Sequence, residues 1–211
     1  MNSSRVVKDL VVLVADKNME YAVRGLLERH ASLGTRAVKY DIFVHPQHDP
    51  GCLRESHAFL QGLSRNFDRA LVILDREGCG RESASRIALE AEIEDRLSQS
   101  GWGDRAAAVV LDPELEIWVW SDSAHVDKAL GWGTQERDLK SALRKKGLLS
   151  EGAPKPNEPK AAMEFALQTA GLRRSSSIYR QIAQNVGVNR CVDPSFQKFR
   201  TILQAWFPKV S

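Results

Sequence analysis

The sequence predicts an α/β protein with a mostly parallel sheet that is flanked by helices. Short apolar runs alternate with stretches of helical periodicity along the first 120 residues, which is the pattern of βαβ units. Four runs have the length of strands, at 11–14, 38–44, 70–74 and 106–111. At 211 residues, the chain is long enough for one substantial core with a small appendage.

The central stretch of the chain is 69–80, which reads RALVILDREGCG. Its apolar run is too short for a buried helix and favours a fully buried strand. Asp75 and Glu77 follow two residues apart, so both carboxylates point to one side if the chain stays extended. Such a pair of hard oxygen donors suits Mg²⁺. The same residues also fit a solvated turn in which Asp75 caps the helix that begins near Ser83.

Acidic residues follow two other runs as well. Asp16 ends the first, where helical periodicity starts with Asn18 as the predicted N-cap. Glu114 and Glu116 follow the fourth run. Carboxylates gathered from separate strands repel one another and need a cation or protons to coexist. A structural alternative is that these acids stabilise the amino ends of helices.

The second run ends in the loop HPQHDPG, at residues 45–51. His45 and His48 with the neighbouring aspartate could bind a metal or shuttle a proton, and a merely polar loop is the alternative. Helices are expected between and after the strands. Their predicted ranges are 18–30, 54–65, 83–98, 161–169 and 177–184, with a last one opened by Asp193.

The segment 150–160 contains three prolines and no apolar run, so we expect a linker or a long exposed loop. It divides a predicted α/β domain, residues 1–150, from a basic helical extension, residues 151–211, that packs on it. The extension holds nine basic side chains against four acidic ones. The sequence predicts a site for nucleic-acid phosphates at Lys160, Arg173 and Arg174, which lie near three serines. A solvated basic face is the alternative.

Apolar patterning and cysteine content indicate the compartment of the protein. No apolar run approaches the roughly 20 residues of a membrane span, and the first residues lack a signal-peptide core. The three cysteines are far apart and odd in number, which fits a reducing compartment. These observations predict a cytoplasmic protein with no membrane partner.

The order of these segments resembles a bacterial family of unknown function with a Toprim-like fold. The most specific parts are Leu74-Asp75-Arg76-Glu77-Gly78, Glu114-Leu115-Glu116-Ile117-Trp118 and the segment 174–196. Small members of that family belong to antiphage defence islands, including a component of the methylation-associated defence system. The resemblance implies a Toprim-like fold, other defence proteins as partners, and Mg²⁺-dependent phosphodiester chemistry.

Toprim domains hold Mg²⁺ with a glutamate after the first strand and an Asp-x-Asp pair after a later one. Asp75 and Glu77 match that pair, with Glu in place of the second Asp. The first-strand glutamate has no clean match, because the sequence offers only Asp16 there and Glu20 lies a turn further on.

The sequence therefore predicts an antiphage nuclease-like protein that acts on DNA or RNA. Asp16, Asp75 and Glu77 would hold Mg²⁺ or Mn²⁺, and Glu114 or Glu116 would serve as a further ligand or as the base that orients water. The main alternative is a non-catalytic Toprim-like binding or sensor subunit of a defence complex. A third hypothesis is that the protein is a small-molecule phosphotransfer enzyme.

Overall fold

The computed structural model describes residues 7–121, 123–133, 138–188 and 191–209. Its centre is a four-stranded parallel sheet in the order β2-β1-β3-β4. The strands are β1 (Lys8–Val14), β2 (Tyr40–Val44), β3 (Phe67–Asp75) and β4 (Ala106–Leu111). The predicted α/β class with a parallel sheet is confirmed, and the arrangement is consistent with a Toprim-like fold.

Ten α-helices surround the sheet in the described part of the chain. The first five are α1 (Lys17–Leu27), α2 (His30–Leu33), α3 (His48–Gln61), α4 (Arg86–Leu97) and α5 (Glu116–Val119). The others are α6 (Ala124–Ala129), α7 (Leu139–Lys146), α8 (Pro159–Thr169), α9 (Ser176–Asn185) and α10 (Pro194–Trp206).

The strand order determines how the helices cover the sheet. The chain leaves β1 in one direction to form β2 and then crosses back to β3 and β4, so right-handed connections put α1 on one face and α3 and α4 on the other. The C-terminal helices complete the α1 face, because α9 packs on α1 and α10 packs on β4. The C-terminal segment therefore shares the core of the sheet.

β4 is an edge strand of the sheet, and side chains of α4 cover its free edge. The backbone N–H groups of Ala108 and Val110 donate to Glu94 Oε1 and Glu90 Oε1, both at 3.0 Å. Lys198 of α10 lies 2.8 Å from Glu94 and 3.2 Å from Glu90, so it balances their charge. An exposed strand edge can pair with other chains, and these glutamates cover this one.

Several predicted boundaries are wrong. Asp16, not Asn18, is the N-cap of α1, since its side chain accepts from the N–H of Met19. Ser85, not Ser83, caps α4 in the same way. The helix expected from residue 54 begins at His48, so the histidine loop runs directly into α3. Among the described residues, no helix combines the length and apolar character that a membrane crossing requires.

Candidate active site at the carboxyl edge of the sheet

The acidic residues meet at the carboxyl edge of the sheet, where β1 and β3 lie side by side. The connection after β1 turns to one face and the connection after β3 to the other, which leaves a crevice between the two strands. Val14 is in register with Ile73, so Asp16 and Asp75 are both two residues beyond that pair. Ligands bind at this position in open parallel sheets because rigid strands present mobile connections there.

Asp75 is the centre of the site. Its Oδ1 atom is fully covered by protein and has no hydrogen-bond partner among the described residues. Burial, together with the negative charges of Asp49, Glu116, Asp16 and Glu114, raises the pKa of Asp75 well above its usual range. The residue as a whole is half-buried, but a covered carboxylate oxygen without a partner is costly, so this position favours a proton or a cation.

Asp16 closes the opposite side of the crevice. Its Oδ1 accepts the N–H of Met19 at 2.8 Å and so caps α1. Its Oδ2 forms no hydrogen bond within the part of the chain that the structure describes. Asp16 therefore combines the helix-capping role and a position next to Asp75, which the sequence presented as alternatives.

Asp49 also belongs to this site and was not singled out as a site residue from the sequence. Its Oδ1 accepts the backbone N–H of Asp75 at 2.7 Å. Burial is the main reason that the pKa of Asp49 is raised, and Asp16 adds to it. The signal in the sequence was the polar loop after β2, where this aspartate was considered as a metal ligand only together with the two histidines.

The two histidines stabilise that loop. His45 is buried, and its Nδ1 accepts the N–H of Gln47 at 3.1 Å; burial lowers its pKa. The Nδ1 of His48 lies 3.0 Å from the carbonyl oxygen of Ala15 and joins the loop to the end of β1. The loop thus holds the ends of β1 and β3 together through His48 and Asp49.

Glu77 lies on the exposed turn after β3. Its backbone N–H donates to the carbonyl oxygen of Pro113 at 3.0 Å, and Glu82 Oε1 accepts the N–H groups of Gly78 and Gly80. Its charge raises the pKa of Glu114, whereas it is not among the main charges that act on Asp75. The structure thus places Glu77 at the rim, beside Glu114.

Glu114 is buried beneath Lys160. Its Oε1 accepts the backbone N–H of Lys160 at 3.0 Å, and its Oε2 is 3.6 Å from Lys160 Nζ. Burial raises the pKa of Glu114, and the charge of Glu116 raises it further. The lysine side chain is 52% exposed, so its ammonium group stays accessible from solvent.

Glu116 is the most fully paired acid of the site. Its side chain is 2% exposed, and its Oε1 accepts from Arg174 Nη2 and from the Tyr179 hydroxyl, both at 2.5 Å. Burial and Glu116 raise the pKa of Tyr179, so the phenol keeps its proton. Burial lowers the pKa of Arg174, but Tyr179 and Glu116 outweigh it and the net change is upward.

Within the described residues, four basic side chains of the C-terminal segment pair with acids of the predicted α/β domain. Besides Lys160 and Arg174, Arg180 pairs with Glu28 and Lys198 pairs with Glu90. Arg173 is exposed and forms no ion pair within the described residues. Arg190 lies outside them. Lys160, Arg173 and Arg174 therefore form a basic rim whose charges are partly matched from within.

The side chains at this edge fit only a cation that takes one or two protein ligands. Among the residues that the structure describes, no group of three His, Cys, Asp or Glu side chains has the arrangement of a metal site. Mg²⁺ keeps several waters and often takes only one or two carboxylates. Asp75, whose side chain has no hydrogen-bond partner among the described residues, and Asp16, whose Oδ2 is unbonded there, are the candidates for such a two-carboxylate site.

Comparisons of the chain with protein-family models, with curated protein sequences and with solved structures each give no match. The resemblance to the Toprim-like defence family therefore stays a prediction from the sequence.

Proposed function

We propose that the carboxyl edge of the sheet is a Mg²⁺- or Mn²⁺-dependent site for phosphodiester chemistry on nucleic acid, as in Toprim-like nucleases. The observation that carries this proposal is the buried, unpartnered Oδ1 of Asp75 among the carboxylates of Asp16, Asp49, Glu114 and Glu116. A covered carboxylate oxygen without a partner is costly, and a bound cation at Asp75 would offset that cost.

Asp75 and Asp16 would hold the cation, and Glu77 would approach it from the rim. When bound, the cation would neutralise charge on a phosphate oxygen and lower the pKa of water. Asp49 fixes the backbone of Asp75 through its hydrogen bond and so orients that carboxyl group. Glu114, whose pKa is raised mainly by burial, would be the candidate general acid or base.

The basic rim would bind the substrate. Lys160 contacts Glu114 and Arg174 contacts Glu116, so a phosphate group would compete with these acids for the two cations. Arg173 directly precedes Arg174 and would add a third, exposed charge. The Arg174 guanidinium also donates from Nη1 to Glu164 at 3.5 Å, and its other N–H groups, beyond those bound to Glu164 and Glu116, remain available for a phosphate.

A second function is favoured by a different observation. Glu116 is satisfied by Arg174 and Tyr179, and Glu114 is satisfied by Lys160, as expected if these acids have a purely structural role. A non-catalytic binding or sensor subunit would need no metal at Asp75. The antiphage role, the defence-protein partners and the cytoplasmic location rest on the sequence alone and stay predictions.

Cleavage assays separate the two functions. Purified protein would be incubated with labelled single- and double-stranded DNA and RNA, with Mg²⁺, Mn²⁺ or EDTA. We expect metal-dependent cleavage that Asp75→Asn abolishes and that Asp95→Asn, on the exposed surface of α4, leaves intact. Cleavage in EDTA, or an Asp75→Asn variant as active as the wild type, would contradict the metal-dependent proposal. Binding without any cleavage would favour the subunit.

A further inference from the structure

The amino edge of the sheet, opposite the acidic site, carries a groove that the proposed function leaves unused. Two adjoining cavities of about 310 Å³ and 260 Å³ share Arg36, which precedes β2. The first is also lined by Lys209. The second is lined by side chains at the starts of β3 and β4 and at the end of α10, namely Asp68, Arg69, Arg105, Trp206 and Phe207.

Trp206 differs from the other four tryptophans. Each of those is buried and donates its indole N–H to an acceptor within the protein: Trp102 to Leu60, Trp118 to Ser195, Trp120 to Pro159 and Trp132 to Ala166. Trp206 is only half-buried, and its indole N–H has no hydrogen-bond partner within the described residues. Trp206 lines the second cavity, so it contributes aromatic surface to the groove, and its indole donor is not used by the described residues.

Two arginines lie over aromatic rings beside it. The guanidinium carbon of Arg69 is 5.5 Å from the centre of the Trp206 ring, and that of Arg36 is 5.1 Å from the centre of the Phe207 ring. Arg36 also pairs with Asp9 at 2.7 Å. For Arg69, the contact with the carbonyl oxygen of Asp104, at 3.5 Å, is the only hydrogen bond to described residues, so most of its donors remain available.

Arg105, the third arginine of the cavity, has a different role. It donates to the carbonyl oxygens of Phe67, Asp68, Ser64 and Gly101, which ties the start of β4 to the turn before β3. Arg105 is thus a structural arginine whose donors are used by the protein, whereas Arg69 lines the groove with most of its donors unused by the described residues.

We infer that this groove, defined by Arg36, Arg69, Trp206 and Lys209, binds single-stranded nucleic acid. A base would stack on the layer that the Trp206 ring and the Arg69 guanidinium form, and phosphates would bind Arg69 and Arg36, since guanidinium groups held against aromatic rings suit both contacts. The choice of nucleic acid rests on the proposed function. The two edges are separated by the length of β3, nine residues or roughly 30 Å, so the groove would anchor a strand at a distance from the acidic site.

The test is the affinity for a fluorescently labelled oligothymidylate of about 12 nucleotides, a length within the range of single-strand sites. Anisotropy is measured in EDTA at several salt concentrations. We expect Trp206→Ala and Arg69→Ala each to weaken binding about tenfold, Trp206→Phe to retain part of the affinity, and Arg69→Ala to lower the salt slope by about 0.7. Lys146→Ala removes an exposed charge of α7 outside the groove and should change affinity less than about twofold.

Asp68→Asn is a groove variant that should gain affinity, so it distinguishes an effect on binding from a loss of affinity caused by misfolding. Asp68 lines the groove and its charge acts on Arg36, so its removal should tighten binding and steepen the salt dependence. Unchanged affinity in Trp206→Ala and Arg69→Ala, or an equal loss in Lys146→Ala, would overturn the inference. If binding depends on the groove residues and no cleavage occurs, only the metal-dependent proposal is contradicted. If cleavage occurs and needs no groove residue, only the inference that the groove binds nucleic acid is contradicted.

Discussion

Arg174 and Glu116, which are 58 residues apart in the sequence, form a 2.5 Å ion pair at the base of the acidic site. The Tyr179 hydroxyl donates to the same carboxylate oxygen, and Arg174 lies over the Tyr179 ring at 5.5 Å. The pair links the basic C-terminal segment to the carboxyl edge of the sheet. It therefore serves the fold, whatever substrate the site binds.

Arg174→Ala should destabilise the protein by about 2–4 kcal/mol, because it leaves the Glu116 carboxylate buried without its cation. Urea unfolding monitored by circular dichroism measures this. Arg173→Ala is the matched control, since the neighbouring arginine is exposed and should change the free energy of unfolding by less than about 0.5 kcal/mol. Similar losses in the two variants would show that the ion pair contributes little.

The Asp75 carboxyl group should make stability depend on pH in a direction that is unusual for aspartate. Its pKa is raised in the folded state, so between the unfolded and folded pKa values the folded protein holds a proton that the unfolded chain has released. Stability contributed by this group is therefore present at low pH and is lost as the pH rises through the folded pKa.

Asp75→Asn removes that titration while keeping the shape of the side chain. In EDTA, the variant should be more stable than the wild type at pH 8, and the difference should shrink towards pH 5. Asp49 and Glu114 titrate in the same direction and remain in both proteins, so the comparison isolates Asp75. An equal stability difference at the two pH values would contradict a raised pKa at Asp75.

Saturating Mg²⁺ should stabilise the wild type and not Asp75→Asn. A ligand that binds only the folded state at 100 times its dissociation constant adds about 2.7 kcal/mol to the free energy of unfolding. Thermal unfolding with and without Mg²⁺ measures the effect, and Asp95→Asn should respond as the wild type does. A wild type that gains no stability from Mg²⁺ or Mn²⁺ would argue for the metal-free subunit.

The sequence predicted the sheet and the edge at which the acids meet, because both follow from local patterns. An apolar run of five residues that ends at Asp75 is recognisable without knowledge of its neighbours. The pairing of Lys160 with Glu114 and of Arg174 with Glu116 was not predictable, since nothing local records which elements meet in space. The basic residues were interpreted as a phosphate surface, and the structure shows that two of the three also neutralise buried acids.

Asp49 was considered only together with the two histidines of its loop, for a related reason. A polar loop gives no sign of which side chain turns inward, and only the start of α3 at His48 directs Asp49 towards the N–H of Asp75. The end of α10 was likewise predictable as a helix with an apolar face. Periodicity alone could not distinguish Trp206, which faces the groove, from Phe199 and Leu203, which are buried.

Gly51 and Gly62, both associated with α3, should respond oppositely to alanine. A Cβ atom at Gly51 would lie 2.0 Å from Nδ1 of the buried His45, so Gly51→Ala should cost about 2 kcal/mol or more by displacing that ring. Gly62 has a helical φ of −66° and no atom within 4 Å of such a Cβ. Gly62→Ala should stabilise the protein by about 0.4–1 kcal/mol. Thermal unfolding of both variants tests this, and a stable Gly51→Ala variant would mean that His45 is free to move.

Glu90 should protect the edge of β4, and its two roles can be separated. Glu90→Ala removes the acceptor for the buried N–H of Val110 and the partner of Arg86 and Lys198, so a loss of about 2–4 kcal/mol is expected. Glu90→Gln keeps an acceptor and loses only the charge, so it should cost less and leave hydrogen exchange at the Val110 amide slow. Asp95→Ala, on the exposed side of α4, should stay within about 0.5 kcal/mol of the wild type. Equal losses of stability in Glu90→Ala and Glu90→Gln would assign the effect to the ion pairs and not to the strand edge. If the acceptor role is correct, only Glu90→Ala exposes the edge and promotes aggregation.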